Sequence, residues 1–98
     1  MIIVTGSVTA RPDTFDELRQ ASLDHVRRSR TEDGCLLHSV QADCENPLRL
    51  FFYEQWRDMA ALEVHGQVEG SKTFIAAVRR LAASSEAISV YEASRANL

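Results

Sequence analysis

The sequence predicts an α+β fold of the ferredoxin-like βαββαβ kind, an antiparallel sheet with its helices on one face, and three observations carry that prediction. Segments of strand-like and helix-like patterning follow one another as strand, helix, strand, strand, helix, strand. The two central strands are joined by Glu45-Asn46-Pro47, a turn-forming string that makes them a hairpin. The third strand is apolar on both sides, with Leu50, Phe52 and Trp56 on one and Phe51 and Tyr53 on the other. A helix layer covers one side only, so the other is an apolar face expected to meet a second copy of the chain.

The first strand runs to Ala10, alternating Ile2, Val4, Gly6 and Val8 against Ile3, Thr5, Ser7 and Thr9. Pro12 breaks it, and Asp13 with Asp16 offers an N-cap and an acidic first turn for a helix over residues 14–29. Phe15, Leu18, Ser22 and Val26 share one face of that helix. Gly34 closes the region; strands follow over residues 35–43 and 48–57. Asp58 caps a short helix containing Met59, Leu62 and His65, and Gly66 and Gly70 flank a weakly patterned connection. A longer helix begins at Ser71 with a stripe of Phe74, Ile75, Val78, Leu81 and Ala82. Ser84-Ser85 ends it, and residues 87–93 supply the last strand.

The chain of 98 residues reads as one domain over 1–98, with an ordinary 45% of apolar and 26% of charged residues. A net charge of -3 argues against a nucleic-acid partner, and the basic run Arg27-Arg28-Ser29-Arg30 is followed at once by Glu32 and Asp33, as at a solvated helix end. Residues 1–6 have no basic segment before a short apolar run, so neither a signal peptide nor a membrane span is expected, and the cytoplasm is the expected location. Cys35 and Cys44 are too few for a disulfide framework and lack metal-ligand spacing; both read as small packing residues, and no metal is expected. Phosphate loops, G-x-S-x-G, H-E-x-x-H and C-x-x-C are all absent.

The string Ser29-Arg30-Thr31-Glu32-Asp33-Gly34-Cys35-Leu36 resembles the S-R-x-E-x-G-C-L signature of antibiotic biosynthesis monooxygenase domains. Tyr53-Glu54-Gln55-Trp56, Asp58 and Ala61-Leu62-Glu63-Val64-His65 match that family's Y-E-x-W, cap and A-L-x-x-H in order and spacing, and Lys72 and Phe74 continue the match. Two positions depart from the pattern: Glu69-Gly70-Ser71 stands where many members read P-H-F, and His38 replaces a frequent tyrosine.

The resemblance implies a homodimeric α+β barrel and a cofactor-independent monooxygenase, whose partners are dioxygen and a small aromatic quinol or anthrone. Such an enzyme needs an apolar cleft, a base and one or two oxyanion donors. His65 is the leading candidate base, since a histidine ordinarily titrates near neutrality; Glu54 and His38 are the other catalytic candidates, and His25 is a secondary one expected half-exposed at the helix border. Glu54, on the same strand face as Trp56, requires a partner such as Arg30 or His65 if buried. Trp56, Phe52, Arg30 and Phe74 are the candidate substrate-binding residues, while a core Trp56 and a helix-end His65 bonded to a carbonyl are equally open. Two other functions share the fold: isomerisation of a small polar metabolite, as in sugar-signal-processing relatives, and a non-catalytic small-molecule-binding dimer. Haem degradation fits poorly, because residues 75–78 contain no His and the first strand no Asn.

Overall fold

The computed structural model describes residues 1–98. In chain order the elements are β1 (Ile2–Ala10), α1 (Phe15–Ser29), β2 (Cys35–Ala42), β3 (Arg49–Trp56), α2 (Met59–Gln67), α3 (Glu69–Leu81) and β4 (Ala82–Glu92). The four strands form one sheet in the order β2-β3-β1-β4, with every neighbouring pair antiparallel. This is the ferredoxin-like α+β arrangement, with a short extra helix before the second long one.

Strand alternation decides the layers. Ile2, Val4, Val8 and Ala10 of β1 and Leu50, Phe52, Glu54 and Trp56 of β3 face the helices and are buried. The main core joins Val8, Ala10, Leu50 and Phe52 to Leu18 and Val26 of α1 and to Ala77 and Leu81 of α3. A smaller core of Ile2, Val4, Trp56 and Ala61 lies at the other end of the sheet, with Cys35 and Leu62 against it. Trp56 and Leu18 are wholly enclosed, and each such side chain contributes roughly 2 kcal/mol by burial. On the opposite face Phe51 and Tyr53 are half-buried and Leu36 and Leu37 exposed, as the third strand's two apolar sides predict. Cys44, in contrast to the expected packing role, is exposed, because it lies in the β2–β3 turn.

Several boundaries differ from the sequence expectation. The N-cap of α1 is Thr14, not Asp13, and its hydroxyl donates instead to the Leu81 carbonyl at 2.7 Å, fastening the start of α1 to the end of α3. Asp58 does cap α2, accepting from the Ala61 N–H at 2.9 Å. Only Val68 separates α2 from α3, so Gly66 and Gly70 sit inside helices and there is no loose connection between them. A Cβ on Gly70 would meet the end of the Arg28 side chain, which would have to shift. Ile75 is exposed, and Ala77 takes its expected place in the core.

The helix stops at Leu81 and β4 starts at once, so Ser84 and Ser85 are strand residues paired with Thr9 and Val8. Its pattern misled because almost all of β4 is exposed and carries no alternation. The β1–β4 ladder breaks register between Thr5 and Ser7, where Gly6 lets Ile88 approach: a Cβ there would be 3.2 Å from the Ile88 side chain.

Candidate active site

The signature string builds the corner on which the site rests. Ser29 is buried, and its hydroxyl donates to the His25 carbonyl at 2.6 Å. Arg30 turns the other way: its Nε donates to the His38 carbonyl at 3.0 Å, tying the end of α1 to β2. Gly34 has φ 83°, and a Cβ there would lie 2.5 Å from Ala61 Cβ, so both backbone shape and space require glycine. Its carbonyl accepts from the Arg57 N–H at 2.8 Å, which joins the turn to the end of β3. Glu32, between these anchors, points inward and accepts from His65 Nδ1 at 2.8 Å.

With α1, β2 and α2 so placed, His25, His38 and His65 converge although 13 and 27 residues separate them in sequence. All three are buried, with ring centroids 5.2 to 5.5 Å apart. The hydrogen bonds place a ring proton on two of them. Arg28 Nη2 lies 2.8 Å from His25 Nδ1; a guanidinium only donates, so Nδ1 accepts and the ring proton of His25 is on Nε2. The Glu32 carboxylate accepts, so His65 carries a proton on Nδ1. His38 Nε2 is 3.3 Å from Glu54 Oε1 without the alignment of a hydrogen bond, leaving both ring nitrogens of this 1%-exposed side chain without a hydrogen-bond partner.

Electrostatics follow from burial. Desolvation, helped by His38, His65 and the Arg28 charge, pushes His25 down to about 3, so its ring is neutral at physiological pH. Burial alone would raise Glu54, but the His38 ring, the Trp56 N–H at 2.8 Å and His65 outweigh it and hold the carboxyl below its ordinary range. Glu54 is therefore an ionised carboxylate on the helix-facing side of β3.

A cleft of about 280 Å³ opens between the sheet and α3. Phe52, Phe74, Val78 and Ile88 give it an apolar lining, while Glu54 and His25 supply polar groups on its wall. Phe74 stacks on His25, with centroids 4.2 Å apart and planes 11° from parallel. A broader depression of about 700 Å³ lies on the opposite sheet face among Leu36, Leu37, Phe51 and Tyr53. The cleft holds the perturbed carboxylate and is the better candidate site.

The structure thus brings Glu54, Phe52 and Phe74 together on one wall. His65 and Trp56 do not line the cleft: Trp56 is fully enclosed, and its ring centroid is 4.5 Å from that of His65 behind the wall. Arg30 borders the opposite depression, because its side chain is spent on the β2 carbonyl. The expected partner of Glu54, Arg30 or His65, is corrected to Trp56 and His38. His25, expected half-exposed, is buried by Phe74 and lines the cleft. Periodicity placed it at the border of the α1 stripe, and nothing local revealed that α3 would cover it.

The fold and cleft together define a class: small ferredoxin-like proteins with an apolar pocket between sheet and helices and a carboxylate on its wall. Within that class the chain belongs to the antibiotic biosynthesis monooxygenase family, whose model matches residues 1–80. The chain is similar to a Deinococcus radiodurans structure provisionally assigned as an antibiotic biosynthesis monooxygenase, with 30% identity, a TM-score of 0.93 and coverage of 100% of this chain and 97% of that one. A Pseudomonas aeruginosa structure is 28% identical with a TM-score of 0.86, covering 96% of this chain and 94% of that one. An uncharacterized protein from Synechocystis is 31% identical over 91 residues, 93% of this chain; the chain spans 62% of that relative's length.

Proposed function

We propose that this protein is a cofactor-independent monooxygenase acting on a small aromatic quinol or anthrone with dioxygen. One observation carries the reading: an ionised carboxylate, Glu54, stands on the wall of an apolar, aromatic-lined cleft. At about 280 Å³ the cleft lies at the lower end of ligand-site volumes, which suits a compact one- or two-ring substrate. Phe52 and Phe74 offer ring faces for it, with centroids 5.5 Å apart.

A quinol hydroxyl hydrogen-bonded to Glu54 gives up its proton to the carboxylate, and the anion reacts with dioxygen. One oxygen atom enters a ring carbon and the other leaves as water; the four electrons come from the quinol, which ends as a hydroxyquinone. His25, with its proton on Nε2, lines the cleft as a neutral donor for the developing oxyanion. His38 and Trp56 set the orientation of Glu54, and His65 acts behind them as a positioning residue. The partners of this reading are the aromatic substrate, dioxygen and a second copy of the chain.

The test is oxygen consumption with a panel of quinols and anthrones by wild type and Glu54→Gln, which keeps the acceptor for the Trp56 N–H. Loss of a proton acceptor lowers the rate roughly 10²-fold. A variant as fast as wild type removes Glu54 from the reaction, and ligand binding without turnover by wild type makes the protein a small-molecule-binding module.

A further inference from the structure

We infer that His25, His38 and His65 form a binding site for one late first-row divalent ion, of which zinc is the simplest. Their ligand atoms all lie within 4.8 Å of one another, each from a different element. Three nitrogens so spaced are at most about 2.8 Å from a common centre, so reaching a zinc–nitrogen length of about 2.1 Å needs each to move by about 0.7 Å or less. A small ring rotation supplies that. Imidazole nitrogens suit zinc, copper, nickel and cobalt and serve magnesium or calcium poorly.

Three independent features point to an ion. His38 is a buried side chain with neither ring nitrogen hydrogen-bonded, an arrangement that costs stability unless something takes its lone pair. The bond from His65 Nδ1 to Glu32 leaves Nε2 as the nitrogen available to an ion, the carboxylate–histidine arrangement that supports metal ligation. Glu32 and Glu54 place two carboxylates around the cluster against one cation, Arg28, so an added positive charge is compensated. With three protein ligands, a fourth position remains for water or a small anion, and His25 puts the ion next to the cleft.

Arg28 makes the inference sharp. A metal on His25 Nε2 moves the ring proton to Nδ1, where it would face the Arg28 donor 2.8 Å away. Arg28 must then leave His25 and rest on Glu32 and Ser71, its other partners at 3.4 and 3.2 Å. It therefore opposes metal binding in the wild type.

The ion-bound form takes from His25 the Nε2 proton that the oxygenase reading uses as a donor, so the two describe different states of the protein, and the site is tested without turnover. Untagged, chelator-stripped protein is titrated with zinc by calorimetry and with cobalt by visible absorption. One zinc per chain and the d–d bands of low-symmetry cobalt are expected, with affinity lowered tenfold or more in a folded His38→Ala and raised several-fold in Arg28→Met. No zinc binding at micromolar concentration overturns the site, as does binding that His38→Ala leaves unchanged. Unchanged affinity in Arg28→Met would remove His25 from the ligand set and overturn the three-histidine assignment; the cobalt spectrum of the wild type needs no variant to fold.

Discussion

Among single residues, His25 is where environment departs furthest from sequence expectation. Its ring, buried beside two other histidines and Arg28, holds a proton only near pH 3, whereas in the unfolded chain it takes one near 6.5. Between those values the unfolded state binds the extra proton, so stability rises with pH across the window and is lost as pH falls below 6.5. The slope from one group is at most about 1.4 kcal/mol per pH unit. Glu54, also held below its ordinary value of 4.5, adds loss in the same direction but only at more acid pH. The melting temperature of metal-free protein should therefore fall between pH 6.5 and 5, and fall less in His25→Gln, which retains an acceptor for Arg28. Coincident profiles would place the acid sensitivity elsewhere. Glu54 itself was legible in the sequence as a carboxylate on the Trp56 face. Its partner was not, because that depends on β2–β3 register, in which His38 falls opposite Glu54 after an irregularity between Cys35 and Leu37.

At the level of elements, the glycine between α1 and β2 is the joint most exposed to a single change. Gly34 combines a positive φ with a close approach to Ala61, so Gly34→Ala meets strain in the backbone and a clash with α2 together. A loss of about 1–3 kcal/mol is expected, read as a lower urea midpoint with little change in slope. A midpoint equal to wild type would show that the turn relaxes freely. The same joint explains why β1, α1 and the β2–β3 hairpin were legible: each has its own periodicity and its own stop signal in Pro12, Gly34 or Pro47. The helix from Ser71 was legible too, but the boundaries on either side of it were not, because glycines lie inside α2 and α3, and β4 gains its order from pairing with β1 instead of from apolar alternation.

For the molecule as a whole, the sheet face away from the helices is where association with a second copy is expected. Phe51 and Tyr53 are half-buried there, Leu36 and Leu37 are exposed, and Tyr91 of β4, paired with Ile3, is exposed as well. So much apolar surface on a chain of this size favours a homodimer. Sedimentation at micromolar concentration should show twice the chain mass, and Leu37→Lys should shift the population toward monomer; a wild type that sediments only as monomer would refute the association. The candidate site was half legible at this scale. Phe52, Glu54 and Phe74 could be grouped from strand parity and helix phase, whereas three histidines on three elements meet only once the sheet order and the tilt of α2 are set. That meeting point has a practical side. The protein has one tryptophan, Trp56, fully enclosed, its indole N–H on Glu54 and its ring 4.5 Å from His65. Its fluorescence comes from a single emitter in contact with the wall of the cleft and with the histidine cluster, so proton, ion or ligand at either place registers in the emission of the unlabelled protein.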